Sequence, residues 1–406
     1  MIKVKQQVNK SEQINAQGQI IIDYDQPLKK SSDLLHALKK ALGNSVIPIK
    51  FNRFKNVFLY QNNGLNHYLI VASITYLSKP HPIFKKRIQL KTWYKDFITA
   101  HINQSNTTVN IIGIYHYNQF EIYCDFRISD YFDQKMNSSS AHVYINDLYQ
   151  GWYNGIFQKQ DFNQNQITVI KSTHLKKFFN QEIEFNPILQ LFIKFNQQFN
   201  FKQWLRADHC IKEMLDHCWY QAKATEWPGW FLEFKIAQFI QQENCEAIMS
   251  YTANQKQKGL DFDLYFAKFN FYGDLKSSDL KKKLMPGNDQ NNTIAAINQY
   301  GRIWYIVYEH ETIKDINQNS VMAIARMKLI DLNYQINNHI SYQKRMKHSV
   351  NFKRMYIFEL NHTNIDHIAS DFHQGHNSDV KKSARSVKFL LNKENINNSL
   401  IFTYKF

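Results

Sequence analysis

Residues 259–279 read GLDFDLYFAKFNFYGDLKSSD, and the placing of these letters decides the fold of the second half of the chain. The pattern predicts two short strands joined by a turn around Ala267–Asn270. Strand residues two apart share a face. Asp261 and Asp263 then point one way on the first strand, and Asp274 and Lys276 point one way on the second. Phe262, Leu264, Phe269, Phe271 and Leu275 supply the opposite face. Directly opposed side chains on such a pair start only ~5 Å apart, close enough for two carboxylates to share one divalent cation.

Working outward, Pro228 and Gly229 open a helix that runs to about Gln242. Trp230, Ala237 and Ile240 form its buried stripe, and Glu233 falls on the same stripe. A carboxylate on an apolar face calls for a partner or a metal, because buried charge is costly without one. A strand near Glu246–Tyr251 comes before the hairpin. A polar loop, Ser277–Asn292, and a short helix, Thr293–Tyr300, closed by Gly301, come after it. Arg302–Tyr308, RIWYIVY, reads as a strand buried on both faces.

An inward Glu on a helix, an Asp on one strand and Asp-x-Lys on the next resemble the PD-(D/E)XK nuclease superfamily. The matching residues are Glu233, Asp263, Asp274 and Lys276. Asp274 lies eleven residues after Asp263, within that superfamily's usual range. The resemblance covers roughly 229–308. It implies an α/β restriction-endonuclease-like core, a mixed central sheet flanked by helices, within a chain that is α+β overall. It also implies hydrolysis of phosphodiester bonds to 5′-phosphate and 3′-hydroxyl ends. Asp263, Asp274 and Glu233 would hold Mg²⁺, a hard cation that takes one or two carboxylates and keeps several waters. Lys276 would orient or help deprotonate the attacking water, with a pKa lowered near the metal. The second acid is Asp274 where the superfamily more often has Glu. No Pro precedes the first acid, and Asp261 competes with Asp263 for its place.

The rest of the chain fits a nucleic-acid partner. It carries 50 Lys and Arg against 34 Asp and Glu, a formal charge of +16, and 15% aromatic residues. That balance favours a polyanion. The four cysteines form no CxxC, which predicts a reducing compartment and no disulfide framework. No signal peptide or membrane span is legible, so a soluble, cytoplasmic protein is expected. No Walker loop, GxGxxG, HExxH or GxSxG motif is present.

Two domains are expected: an N-terminal α+β region, 1–224, for DNA recognition, and a nuclease domain with a C-terminal extension, 225–406. In the first, Ser31–Leu42 reads as a helix ended by Gly43. Hairpins are expected at 57–76 and 109–128. Phe84, Ile88, Tyr94 and Phe97 recur at helical spacing, with Lys85, Lys86, Arg87 and Lys91 on the remaining surface. Such a basic helix suits a DNA backbone, though a solvated helix face has the same look. SSSAHVYINDLYQGWYN, 138–154, mixes Ser, His, Asn, Asp, Tyr and Trp, side chains that can hydrogen-bond base edges or phosphates and that also fill ordinary loops. In the second domain, Val321–Ile330 reads as a helix, and Met355–Leu360 and Val387–Leu391 as strands. His362, His367, His373 and His376 could bind zinc, but with no cysteine nearby a polar loop that could face DNA is the better reading, with His373 and His376 as contact candidates.

Among relatives of this core, a type II restriction endonuclease fits best. It would act on double-stranded DNA as a homodimer, with a cognate methyltransferase as its genetic partner. A structure-specific repair, recombination or transposition nuclease is one alternative, and a non-catalytic nucleic-acid-binding protein is another. The recognition sequence and cut position rest on loop residues that the sequence does not identify.

Overall fold

The computed structural model describes residues 10–52, 54–132, 139–182, 186–199, 201, 203–219, 226–253, 260–315, 347–373 and 386–406. Its architecture is mixed α+β, with several sheets and helices between them. The chain divides into two compact units, Met1–Phe185 and Asn186–Phe406.

The frame of the first unit is a seven-stranded sheet. Its order is Ile156–Gln160, Gln166–Lys171, Phe120–Phe126, Thr107–Tyr117, Leu65–Ser73, Phe54–Asn62, Val46–Phe51. Leu65–Ser73 and Thr107–Tyr117 run parallel, and every other neighbour is antiparallel. The 54–73 hairpin turns through Asn63 (φ 49°) and Gly64 (φ 76°). Two successive positive φ values are what a two-residue hairpin turn demands, and Asn-Gly meets that demand cheaply. Helix Ser31–Leu42 forms where the leucine stripe predicts it. It buries Leu34, Leu38 and Leu42 against Phe58, Leu69, Ile112 and Tyr123.

Two expectations in this unit are corrected. The basic stretch expected as one helix over 84–97 is a strand, Lys85–Gln89, followed by helix Thr92–His101. That strand lies between Ser140–Tyr144 and Thr75–Tyr76. Lys-Lys-Arg-Ile-Gln fits a period of two as well as a helical one, and pairing with two neighbours selects the strand. The stretch 138–154, expected as a loop, holds strand Ser140–Tyr144 and helix Ile145–Asn154. Its polar letters conceal a core face of Ala141, Val143, Ile145 and Leu148, all fully buried.

In the second unit another seven-stranded sheet runs Leu205–Arg206, Lys347–Asn361, Arg302–Lys314, Phe271–Asp279, Leu264–Phe266, Ser250–Tyr251. Leu400–Lys405 adds to Lys347–Asn361. Phe271–Asp279 and Arg302–Lys314 are parallel, and helix Gln290–Tyr300 lies in the connection between them. Helices Pro187–Gln198, Ala207–Asp216 and Trp227–Glu243 belong to this unit. Phe195 packs edge-on to Phe239 at 5.4 Å, and Lys235 pairs with Glu213. These contacts join helices Pro187–Gln198 and Ala207–Asp216 to the C-terminal unit, whereas the boundary was expected at 224/225.

The loop expected over 277–292 is also corrected. Strand Phe271–Asp279 runs on into it, and strand Leu284–Asp289 joins Lys388–Asn392 and Ala369–Phe372 in a small three-stranded sheet. The strand expected near 355–360 lies within Lys347–Asn361, and the one expected over 387–391 is Lys388–Asn392. The helix expected over 321–330 lies outside the described residues. Among the described residues no helix is long and apolar enough to cross a membrane.

Candidate active site

The hairpin ladder pairs Phe266 with Phe271, Tyr265 with Tyr272 and Leu264 with Gly273. Continued by one step, the same register sets Asp263 across from Asp274. Directly opposed residues of an antiparallel pair share a face. The strand itself begins at Leu264, so Asp261 stands ahead of it, exposed. Asp263 is anchored across the hairpin, where its Oδ2 accepts the Leu275 N–H at 2.8 Å. Gly273 has a steric reason, since a Cβ there would come within 2.6 Å of the buried Phe266 ring. Close packing on one face thus supports the acids on the other.

Asp274 is 2% exposed, and its carboxylate pairs with the Lys276 ammonium. Asn288 bridges the two. It accepts from Lys276 Nζ at 2.7 Å on Oδ1 and donates from Nδ2 to Asp274 Oδ1 at 2.6 Å. Its backbone N–H reaches the Tyr305 hydroxyl at 3.4 Å. The parallel ladder sets Tyr305 beside Asp274. Asn288 was missed by sequence reasoning, because its stretch reads as a loop and an Asn there carries no distinguishing pattern.

Glu233 is 7% exposed on helix Trp227–Glu243 and accepts the Tyr251 hydroxyl at 2.7 Å. Burial pushes its pKa up to about 7. The Tyr251 hydrogen bond and the Lys276 charge oppose that rise, while Asp274 and Asp261 add to it. Burial also holds Asp263 well above the usual carboxylate range, reinforced by Asp274 and then Glu233. For Lys276, burial disfavours the charge, but the Asp274 and Asp263 carboxylates outweigh it and hold the ammonium above its ordinary pKa. The lowering expected near a metal belongs to the loaded site, where a cation would draw on the same carboxylates. Glu233, Asp263, Asp274 and Lys276 therefore interact as one electrostatic group.

Among the described residues no three Asp, Glu, His or Cys side chains form a ready-made metal cage. Two carboxylates facing one another across a hairpin suit a hard cation that brings most of its own water ligands, as Mg²⁺ does. The raised pKa values of Asp263 and Glu233 mark crowded negative charge that a cation would relieve.

The other candidates divide. Lys86 is fully buried, pairs with Asp25 and donates to Ser11 Oγ at 2.8 Å. It is a core residue, because the strand alternation turns it inward, and it offers nothing to DNA. Lys85 and Arg87 emerge half-buried on the opposite face, and Lys91 is exposed. His373 is exposed, and His376 lies outside the described residues. Glu309 is buried and accepts from Lys393 Nζ at 2.6 Å while pairing with Arg354. It ties strand Arg302–Lys314 to its surroundings.

Residues 66–179 match the family described as methylase-associated X1. The match lies wholly within the first unit. No curated protein and no solved structure matches the chain.

Proposed function

We propose that this chain is a Mg²⁺-dependent endonuclease with a PD-(D/E)XK core, cutting double-stranded DNA at a specific sequence as a type II restriction enzyme. The observation that carries the reading is the cross-strand placing of Asp263 opposite Asp274, with Lys276 paired to Asp274 and Glu233 coupled to the group. The order of elements supports it: helix with Glu233, hairpin, helix Gln290–Tyr300, then a strand parallel to the Asp-x-Lys strand. The methylase-associated match supports a restriction–modification context, in which a methyltransferase would protect the same sites. The +16 charge suits a polyanionic substrate.

In this reading Asp263 and Asp274 hold the cation, and Glu233 reaches it directly or through water. Bound Mg²⁺ would offset charge on the scissile phosphate and acidify a water. With no cation bound, the Asp274 and Asp263 carboxylates hold the Lys276 ammonium above its ordinary pKa. With a cation drawing on the same carboxylates, Lys276 would orient or help deprotonate the attacking water and balance phosphate charge. Asn288 keeps the ammonium and the Asp274 carboxylate aligned. Two copies about a two-fold axis would give one active site per strand of a palindromic duplex.

The test is digestion of plasmid DNA with Mg²⁺. Discrete fragments with 5′-phosphate ends are expected. A smear would defeat the sequence-specific reading, and intact DNA across many sequences would defeat the enzyme. Asp274→Ala should cut at least about a hundredfold more slowly while holding duplex DNA as tightly as before.

A further inference from the structure

The first unit carries a second polar site. Strand Lys85–Gln89 turns Lys86 into the core, so Lys85 and Arg87 share the other face. The register with Ser140–Tyr144 sets His142 directly across from Arg87. Lys85, Arg87 and His142, with His81 beside them, line a cavity of about 440 Å³. Arg87 Nη1 donates to Ser140 Oγ at 2.6 Å, which fixes the guanidinium against the neighbouring strand. Among the described residues neither Lys85 nor Arg87 forms an ion pair. The carboxylate on the lining, Asp161, accepts backbone N–H groups of Asn163 and Asn165 at 2.8 and 2.9 Å, within its own loop.

These cations are crowded against one another. Burial lowers the pKa of Lys85, and Arg87 lowers it further. Burial lowers Arg87 as well. His142 is brought down to about 4 by burial, then by Lys85, Arg87 and His81. A concave site with clustered positive charge and no ion-paired lysine or arginine is built for an anion. Its volume exceeds that of a phosphate alone and admits a whole nucleotide.

We propose that this cavity binds a phosphate-bearing nucleotide unit of a DNA strand, with Lys85 and Arg87 on the phosphate oxygens and His142 beside them. The nucleic-acid source of that phosphate rests on the function proposed above. The cavity itself rests on separate residues in a separate unit.

The test uses the full chain in EDTA, so that cleavage plays no part. Binding of duplex DNA is measured across a salt series for the wild type and for Lys85→Ala/Arg87→Ala. The double variant should lose at least about tenfold in affinity, and its salt slope should fall by about one. Lys85→Gln alone, at a side chain that forms no ion pair among the described residues, should lose a smaller part of that affinity with an unchanged melting temperature. Thymidine 5′-monophosphate provides the second arm. If the variants lose only this mononucleotide and keep duplex affinity, the DNA strand is not the ligand and the proposal is overturned. If both affinities are unchanged in folded variants, the cavity is no anion site. A wild-type protein that binds DNA through this cavity but never cleaves would sink the nuclease reading and leave this one standing.

Discussion

In residues 186–406, Asp263, Asp274 and Glu233 crowd around a single lysine, and Asp263 and Glu233 are pushed up in pKa. In residues 1–185, Lys85, Arg87 and His142 crowd around a cavity, and the bases are pushed down. The shifts run in opposite directions for the same reason. Like charges are held together and partly desolvated, so each loses some preference for its charged form. A fold tolerates such a cluster when a counterion relieves it. By this logic the first cluster calls for a cation and the second for an anion, and a metal-dependent enzyme acting on DNA needs both. The buried pair Lys86–Asp25 shows the contrast, since there the counter-charge is supplied within the unit itself.

The comparison can be broken most sharply at Asp263. Asp263→Asn removes one of two facing carboxylates, so cleavage should fall at least about a hundredfold. The metal-free variant should also melt higher than the wild type, because repulsion is relieved. Mg²⁺ at a hundred times its Kd should stabilise the wild type by about 2.7 kcal/mol and the variant by much less. Equal Mg²⁺ stabilisation of the two proteins would remove Asp263 from the cation site.

The pH dependence of the metal-free protein separates the two clusters by sign. Glu233 titrates at about 7 when folded, against an ordinary value of 4.5. Between those values the folded state holds a proton that the unfolded chain has lost, so stability falls as pH rises through this window. The effect is bounded by about 3 kcal/mol. His142 runs the other way, titrating at about 4 when folded against 6.5. There the unfolded chain binds the extra proton, so its contribution falls as pH drops from 6.5 towards 4. Glu233→Gln should flatten the first slope and His142→Asn the second, in urea titrations at several pH values. Slopes that do not respond to these changes would show that the clusters are not the source.

The smallest effect tests the packing beneath the acids. Gly273→Ala forces a Cβ into the Phe266 ring and should cost about 1–3 kcal/mol. If the acids depend on that packing, Mg²⁺ affinity should weaken with it. A variant as stable as the wild type would show that Phe266 yields freely.

Much of the frame was legible because its signals are local. Helix Ser31–Leu42 follows from a leucine stripe and a terminal glycine, and the 54–73 hairpin from an Asn-Gly turn. The hairpin carrying Asp263 and Asp274 was legible from alternation and a turn, and its register then aligns the two acids. The basic stretch at 84–97 misled, because the five residues Lys-Lys-Arg-Ile-Gln fit either period and only the neighbouring strands decide between them. Asn288 was invisible, since an amide bridging two charges is defined by where those charges lie.

By itself the sequence determined the residue chemistry, the strand alternation and the strong positive balance, all properties of short segments and of sums over them. The tertiary structure decided which side of each alternation is buried. It sent Lys86 inward to Asp25, 61 residues away, and left Lys85 and Arg87 facing a cavity. It also drew helices Pro187–Gln198 and Ala207–Asp216 into the C-terminal unit and put Asn288 between Lys276 and Asp274. The physical reason is common to all of these. The free energy of a buried charge is set by its partner, and a partner brought from a distant segment exists only once the chain has folded.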